Sequence, residues 1–251
     1  MPETNDTHEL RYSRHLALPD FGADAQAQLA DARVLIVGLG GLGSPAAMYL
    51  AAAGIGTLLL NDYDRVDLSN LQRQILHHTD DVGHGKTASA AATITALNPD
   101  CKLELLDKRL NEHELETTIR AADVVLDGSD NFGTRFAVNA ACVHTGTPLV
   151  SGAAIRYDGQ LTTFVPRDPR SPCYACLYEE SDEEMEDCRS NGVLAPLTGV
   201  IGSMMAVEAL KLITGIGETL CGRLLQYDAR QATIRFTTIK RDPACPVCRQ
   251  R

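Results

Sequence analysis

The sequence predicts an α/β protein, a doubly wound, mostly parallel sheet extended by antiparallel strands. Three observations predict it. Arg33-Val34-Leu35-Ile36-Val37, a short apolar and β-branched run, ends directly on Gly38-Leu39-Gly40-Gly41-Leu42-Gly43. Strand-like and helix-like runs alternate from there to Ala153, as in a sheet wound on both faces. Beyond Ser151 the runs alternate apolar and polar residues, the pattern of half-exposed antiparallel strands.

The elements follow in order. Arg33 to Val37 reads as a buried parallel strand. The glycines then open an alanine-rich helix from Ser44 to Ala53, and Thr57 to Leu60 is a second strand closed by Asn61-Asp62. This is the strand–turn–helix–strand setting of a Rossmann-like dinucleotide fingerprint, with an acidic residue about 20 positions on to hold a ribose hydroxyl. Phosphate oxygens would meet exposed amides at the helix start, where the helix dipole favours negative charge. Helices are expected over Gly85 to Leu97, Asn111 to Arg120 and Asn131 to Thr145. Strands are expected over Lys102 to Leu106, Val124 to Asp127 and Leu149 to Ala153. Gln160 to Val165, Leu224 to Asp228 and Thr233 to Ile239 supply the antiparallel part, with one long helix, Pro196 to Leu212, between them. The expected organisation is a single domain with a helical arm over 1–30, a nucleotide-binding half over 31–155 and a second half over 156–251.

Bulk properties bound the function. At 251 residues and 44% hydrophobic, the chain can bury a full core. A net charge of −10 argues against a nucleic-acid surface, which needs clustered lysine and arginine. Val34 to Leu60 and Ser190 to Val207 carry no charge, but glycines and prolines interrupt both, so neither reads as a membrane span. The N-terminus, Met1 to Glu9, is polar and lacks a secretory signal, so a soluble, cytoplasmic protein is expected. Glu179, Glu180, Asp182, Glu183, Glu184, Glu186 and Asp187 form an acidic run expected to be a solvated crossover loop.

Further residues point to ATP rather than hydride transfer. Ser69-Asn70-Leu71-Gln72-Arg73-Gln74, Lys86 and Asp127-Gly128-Ser129-Asp130-Asn131 follow the glycines. An arginine, a lysine and an aspartate can grip a triphosphate and its metal. An NAD-dependent oxidoreductase shares the opening but needs an acid beside the nicotinamide. His77, His78 and His84 are present, with nothing marking a substrate pocket around them. Cys173-x-x-Cys176 and Cys245-x-x-Cys248 form two knuckles, the spacing of a closed tetrahedral Zn²⁺ site and therefore a structural one. Cys101, Cys142 and Cys221 read as packing residues. Cys188, before Arg189, reads as an exposed thiol with a cation to favour its thiolate.

Taken together, these motifs resemble the HesA/MoeB/ThiF family, bacterial relatives of the ubiquitin-activating enzymes. Arg11-Tyr12-Ser13-Arg14 and Gly192-Val193-Leu194-Ala195-Pro196 add to the likeness, which spans essentially the whole chain. The resemblance implies adenylation of the C-terminal glycine of a ubiquitin-like sulfur-carrier protein with a Gly-Gly tail, with release of pyrophosphate. It assigns Gly38, Gly40, Gly41 and Gly43 to the phosphates and Asp62 to the ribose. Ser69, Asn70, Leu71, Gln72, Arg73 and Lys86 would line the nucleotide, and Asp130, beside Asn131, would hold Mg²⁺. Arg14 would reach the ATP site of a second subunit, making a homodimer, and the half over 156–251 would bind the carrier. Cys188 would be a candidate for covalent transfer. Within the family, thiamine-pathway members typically carry a tryptophan shortly after the first knuckle, where this chain reads Cys176-Leu177-Tyr178 and has no tryptophan at all. The resemblance therefore implies the molybdopterin-pathway carrier, with the thiamine-pathway one as the alternative. With no rhodanese-like domain after Cys248, sulfur is expected from a separate donor, a cysteine desulfurase or rhodanese-type protein.

Overall fold

The computed structural model describes residues 4–179 and 192–249. Eight strands form one sheet. They are β1 (Arg33–Val37), β2 (Thr57–Asn61), β3 (Lys102–Leu106), β4 (Val124–Asp127), β5 (Leu149–Ile155), β6 (Asp158–Phe164), β7 (Arg223–Asp228) and β8 (Thr233–Thr238). Their order is β3-β2-β1-β4-β5-β6-β7-β8. Pairing is parallel from β3 to β5 and antiparallel from β5 to β8. The expected fold class and every expected strand are present, with ends shifted by a residue or two.

Strand order reverses between β1 and β4, which is where open α/β sheets place their ligands. The register sharpens this. Val37 pairs with Asn61 on one side and Asp127 on the other, so β1, β2 and β4 end level. The loops that follow all leave from one edge.

Seven helices flank the sheet among the described residues. They are α1 (Thr4–Leu16), α2 (Gly22–Asp31), α3 (Gly43–Ala53), α4 (Lys86–Leu97), α5 (Glu112–Arg120), α6 (Phe132–Thr145) and α7 (Ala195–Thr214). Local chemistry sets several ends. Asn111 and Glu114 form a reciprocal capping box on α5. Asn131 accepts a hydrogen bond from the Thr134 amide and caps α6. Gly54 closes α3 at φ +95°, a conformation that side chains resist.

The two faces of the sheet carry separate cores. Leu35, Val37, Leu59 and Val125 pack beneath α5 and α6 with Ile119 and Val138. Val34, Ile36, Leu58, Leu60 and Leu126 pack on the other side with α3 and α7. α7 is long and apolar enough to span a membrane by length and composition. Here it is a core helix, with Leu197, Ile201, Met205 and Ala209 fully buried. Tyr12 of α1 is buried too, its hydroxyl accepting from the Asn98 side-chain amide, which ties α1 to the end of α4.

Burial pushes the Cys101 thiol up to about 11 and Cys142 higher still, as suits inert packing residues. Cys221 is half-buried. The acidic run after Glu179, and with it Cys188, lies outside the described residues.

Candidate active site

A cavity of about 750 Å³ opens at the level ends of β1, β2 and β4. Its floor is the glycine loop, and the glycines are there because of close approaches. Gly38 sits at φ +85°, and a Cβ on it would meet the Gly128 backbone at 3.1 Å. A Cβ on Gly43 would fall 1.9 Å from the Gly38 carbonyl oxygen, so α3 can begin there only without a side chain. α7 closes from above: a Cβ on Gly202 would fall 2.3 Å from the Leu42 carbonyl oxygen, and one on Gly41 would touch Thr198.

Asp62 follows β2 and is nearly buried, with both oxygens in use. One accepts from the Leu39 amide at 2.8 Å and the other from the Asp64 amide at 2.9 Å. Lys86 opens α4 and is buried, its ammonium 3.1 Å from Asp64 and 3.7 Å from Asp62. A buried cation held between two carboxylates is already desolvated and needs little rearrangement to meet phosphate oxygens.

The segment over 67–74 is a compact turn built around Asp67. That carboxylate accepts from the Ser69 amide at 2.8 Å and the Ser69 hydroxyl at 2.6 Å, which lower its pKa. Asn70 closes the box by accepting from the Asp67 amide. Arg73, one turn on, donates to the Ser69 carbonyl at 3.2 Å and lines the cavity.

Opposite lies the β4–α6 turn. Asp127 ends β4, wholly buried, and burial pushes its pKa up against the nearby Arg135 charge and the Ser129 hydroxyl that donates to it. Asp130 stands exposed at the rim, where its oxygens suit a hard cation.

Gly38, Gly40, Gly41, Asp62, Ser69, Asn70, Gln72, Arg73, Lys86, Asp130 and Asn131 thus line one cavity. Gly43 and Leu71 do not; Gly43 serves loop packing instead. Arg14 is exposed on α1 and does not line the cavity of its own chain. Asp64, Arg65, Arg109 and Arg135 also line it and were not singled out from sequence. Asp64 had a signal, since it stands two residues past Asp62, which the sequence assigns to the ribose. Arg109 had none, because it comes from the loop after β3 and reaches the site only through the fold.

The oxidoreductase alternative finds no support. No histidine lines the cavity among the described residues. His77 is buried behind the glycine loop, while His78 and His84 are exposed.

The four knuckle cysteines converge at the far end of the chain. Their sulfurs all lie within 4.8 Å of one another, with Cys173–Cys176, Cys173–Cys245 and Cys176–Cys248 at 3.9, 3.7 and 3.5 Å. Four sulfurs about 2.3 Å from one ion form a tetrahedron with edges of about 3.8 Å, so the donor set fits Zn²⁺. Burial and mutual repulsion raise the Cys173 and Cys176 pKa values. A metal would reverse this by taking the thiolates as ligands. Backbone amides of Cys173 and Asp242 already point at the Cys176 sulfur, each at 3.5 Å.

Comparison with known proteins converges on one group. Residues 12–247 match the ThiF family. The chain is 46% identical over 244 residues to the sulfur carrier protein ThiS adenylyltransferase of Escherichia coli K12, covering 97% of this chain and 96% of that protein. It is 46% identical over 250 residues to the molybdopterin-synthase adenylyltransferase of the same organism, covering both in full. The SAMP-activating enzyme E1 of Haloferax volcanii is 46% identical over 240 residues, with 95% and 88% covered. Among solved structures, E. coli MccB with ATP superposes with a TM-score of 0.83 at 25% identity, over 95% of this chain and 73% of that one.

Proposed function

The chain belongs to the ThiF family, and from that premise we propose that it is an ATP-dependent adenylyltransferase acting on the C-terminal carboxylate of a ubiquitin-like sulfur-carrier protein. The observation that carries the reading is the convergence of Lys86, Arg73 and Asp130 with the glycine loop on one cavity. Relatives named as a sulfur carrier protein ThiS adenylyltransferase and a molybdopterin-synthase adenylyltransferase support it.

The carrier's terminal carboxylate is ionised at neutral pH and needs no general base. Its oxygen attacks the α-phosphorus of ATP. A carboxylate–phosphorus bond forms as the bond to the bridging oxygen breaks, and that electron pair leaves on pyrophosphate. Two anions must meet, so the residues' task is electrostatic. Lys86, Arg73 and Asn70 face the triphosphate, with Arg65 and Arg109 adding positive charge to the same walls. Asp62 holds the ribose and, through the Leu39 amide, the loop. Asp130 would hold Mg²⁺, which supplies charge neutralisation on the departing pyrophosphate. Cys173, Cys176, Cys245 and Cys248 would hold Zn²⁺, which pins the C-terminal segment to the middle of the chain.

The proposed carrier is the molybdopterin-pathway protein. The thiamine-pathway carrier is the second reading, because the chain is 46% identical to an adenylyltransferase of each kind. The acyl-adenylate would pass to a separate sulfur donor. The protein would act as a homodimer, with Arg14 of each subunit completing the other's site. The purified chain, offered each carrier with ATP and Mg²⁺, is expected to form a carrier acyl-adenylate detectable by mass spectrometry. Absence of adduct and of ATP–pyrophosphate exchange with both carriers would overturn the reading.

A further inference from the structure

The backbone of Leu39 is gripped on both sides. Its amide donates to Asp62, and its carbonyl, which also accepts from the Ser44 hydroxyl at 3.3 Å, is met at 3.0 Å by Nε2 of His77, a buried side chain that does not line the cavity. His77 Nδ1 lies 2.8 Å from the Ser89 hydroxyl, which lies 2.8 Å from an Asp81 carboxylate oxygen. The chain of contacts therefore runs from Leu39 through His77 and Ser89 to Asp81. It joins the glycine loop to the first turn of α4, three residues past Lys86, and to the segment after Arg73.

Proton counting gives this chain a direction. The Leu39 carbonyl can only accept, so Nε2 must carry a hydrogen. The Asp81 carboxylate also only accepts, so the Ser89 hydroxyl must donate to it, which leaves Nδ1 to donate to Ser89 Oγ. All three contacts carry a hydrogen only when the imidazole is protonated. A neutral His77 leaves one of the three contacts, His77–Leu39, His77–Ser89 or Ser89–Asp81, with no proton between its heavy atoms, so the chain from the loop to Asp81 is broken at one link. A trans, planar peptide then translates the difference to the site. With the Leu39 carbonyl held by His77, the Gly40 amide points the opposite way, and Gly40 lines the nucleotide cavity.

We propose that His77 is a positioning residue for the nucleotide: in its protonated form it fixes the glycine loop for phosphate binding, and loss of its proton loosens the loop. This rests on the reading of the cavity as an ATP site. Other charges face the imidazole. Lys86 on α4 opposes its protonation, while Asp62 after β2 and Asp81 favour it. His78 pairs with Asp81 at 3.4 Å from the exposed side.

His77→Gln is the informative variant, because a glutamine can donate to Leu39 and accept from Ser89 but does not titrate. ATP–Mg²⁺ binding to the full chain should be measured by calorimetry between pH 5.5 and 8. Wild type should bind about fivefold more tightly than His77→Gln at the bottom of that range and converge on it at the top, the worth of one hydrogen bond of about 1 kcal/mol. The glutamine comparison cancels the titration of ATP itself. Ser89→Ala should flatten the wild-type profile, and His77→Phe should raise the ATP KM at every pH with the carrier KM unchanged. In the nucleotide-free protein, the His77 ring should titrate below the usual histidine value when followed by NMR, because burial disfavours its charge, and Ser89→Ala should move that titration. Superimposable ATP profiles for wild type and His77→Gln, with the His77 titration unmoved by Ser89→Ala, would overturn the proposal while leaving the ATP reading intact. Failure of the wild type to bind ATP at any pH would overturn both.

Discussion

Lys86 and Arg73 illustrate how two cations with the same proposed target differ in what they cost the fold. Lys86 is buried against Asp62 and Asp64, so removing it strands two carboxylates at the cavity floor. Arg73 is half-buried and, among the described residues, donates only to the Ser69 carbonyl. Arg73→Ala should therefore lower carrier-dependent ATP–pyrophosphate exchange by about 10²–10³-fold with little change in melting temperature. Lys86→Ala should cause a similar loss together with a measurable fall in stability, and Asp130→Asn should match Arg73→Ala in both respects. Near-normal exchange in a folded Asp130→Asn protein would remove that residue from the site. Asp127 makes the complementary case. Its folded pKa is raised, chiefly by burial, so the wild type loses stability as pH rises through that value. A side-chain amide in its place could still accept from Ser129 while carrying no charge. Asp127→Asn should hence melt higher than wild type at pH 8, the advantage shrinking toward pH 4. A variant less stable than wild type at pH 8 would show that the Arg135 charge outweighs the burial.

At the scale of elements, the sequence was most legible where one local signal sufficed. The run Arg33–Val37 into Gly38 needed only its own residues to define strand, loop and helix, and the knuckle spacings needed only theirs. The antiparallel extension was legible from period-two alternation, and β6 to β8 appear where it placed them. What stayed hidden depends on register. Nothing in Asp127's own neighbourhood says that Val37 stands beside it in the sheet or that it ends up buried. Likewise His77 reads as one of three loop histidines until the fold sets it behind Leu39. The cysteine clasp is the element whose effect on stability is simplest to test. Cys245→Ser removes one ligand from a largely buried four-sulfur cluster and leaves the others without a closed shell. Metal analysis should fall from about one zinc per chain to well below it, and the melting temperature should drop by about 5 °C or more. ATP binding by the folded fraction should persist, because none of the four cysteines lines the nucleotide cavity. Wild type free of zinc after purification without chelators would remove the metal from the proposal.

The whole molecule raises the question of Arg14, which the sequence places in nucleotide chemistry and the structure places on the exposed side of α1. Within one chain it does not reach the cavity, so any role at the phosphates requires a neighbour. The surface offers apolar residues for such an association: Leu10 on α1, Tyr49 on α3 and Val207 on α7 are each more than half exposed. Subunit complementation decides the matter. If the protein pairs as proposed, Arg14→Ala and Lys86→Ala proteins should each be nearly inactive. After mixing and exchange, a mixed dimer holds one site with Lys86 from one subunit and Arg14 from the other. Random pairing of equal amounts makes half the dimers mixed, with one working site in each, so activity should recover to about a quarter of wild type. Recovery at that level would require Arg14 to act across the interface. No recovery, in a mixture shown by native mass spectrometry to contain mixed dimers, would place Arg14 outside the neighbouring site and leave the cations of a single chain to hold the triphosphate.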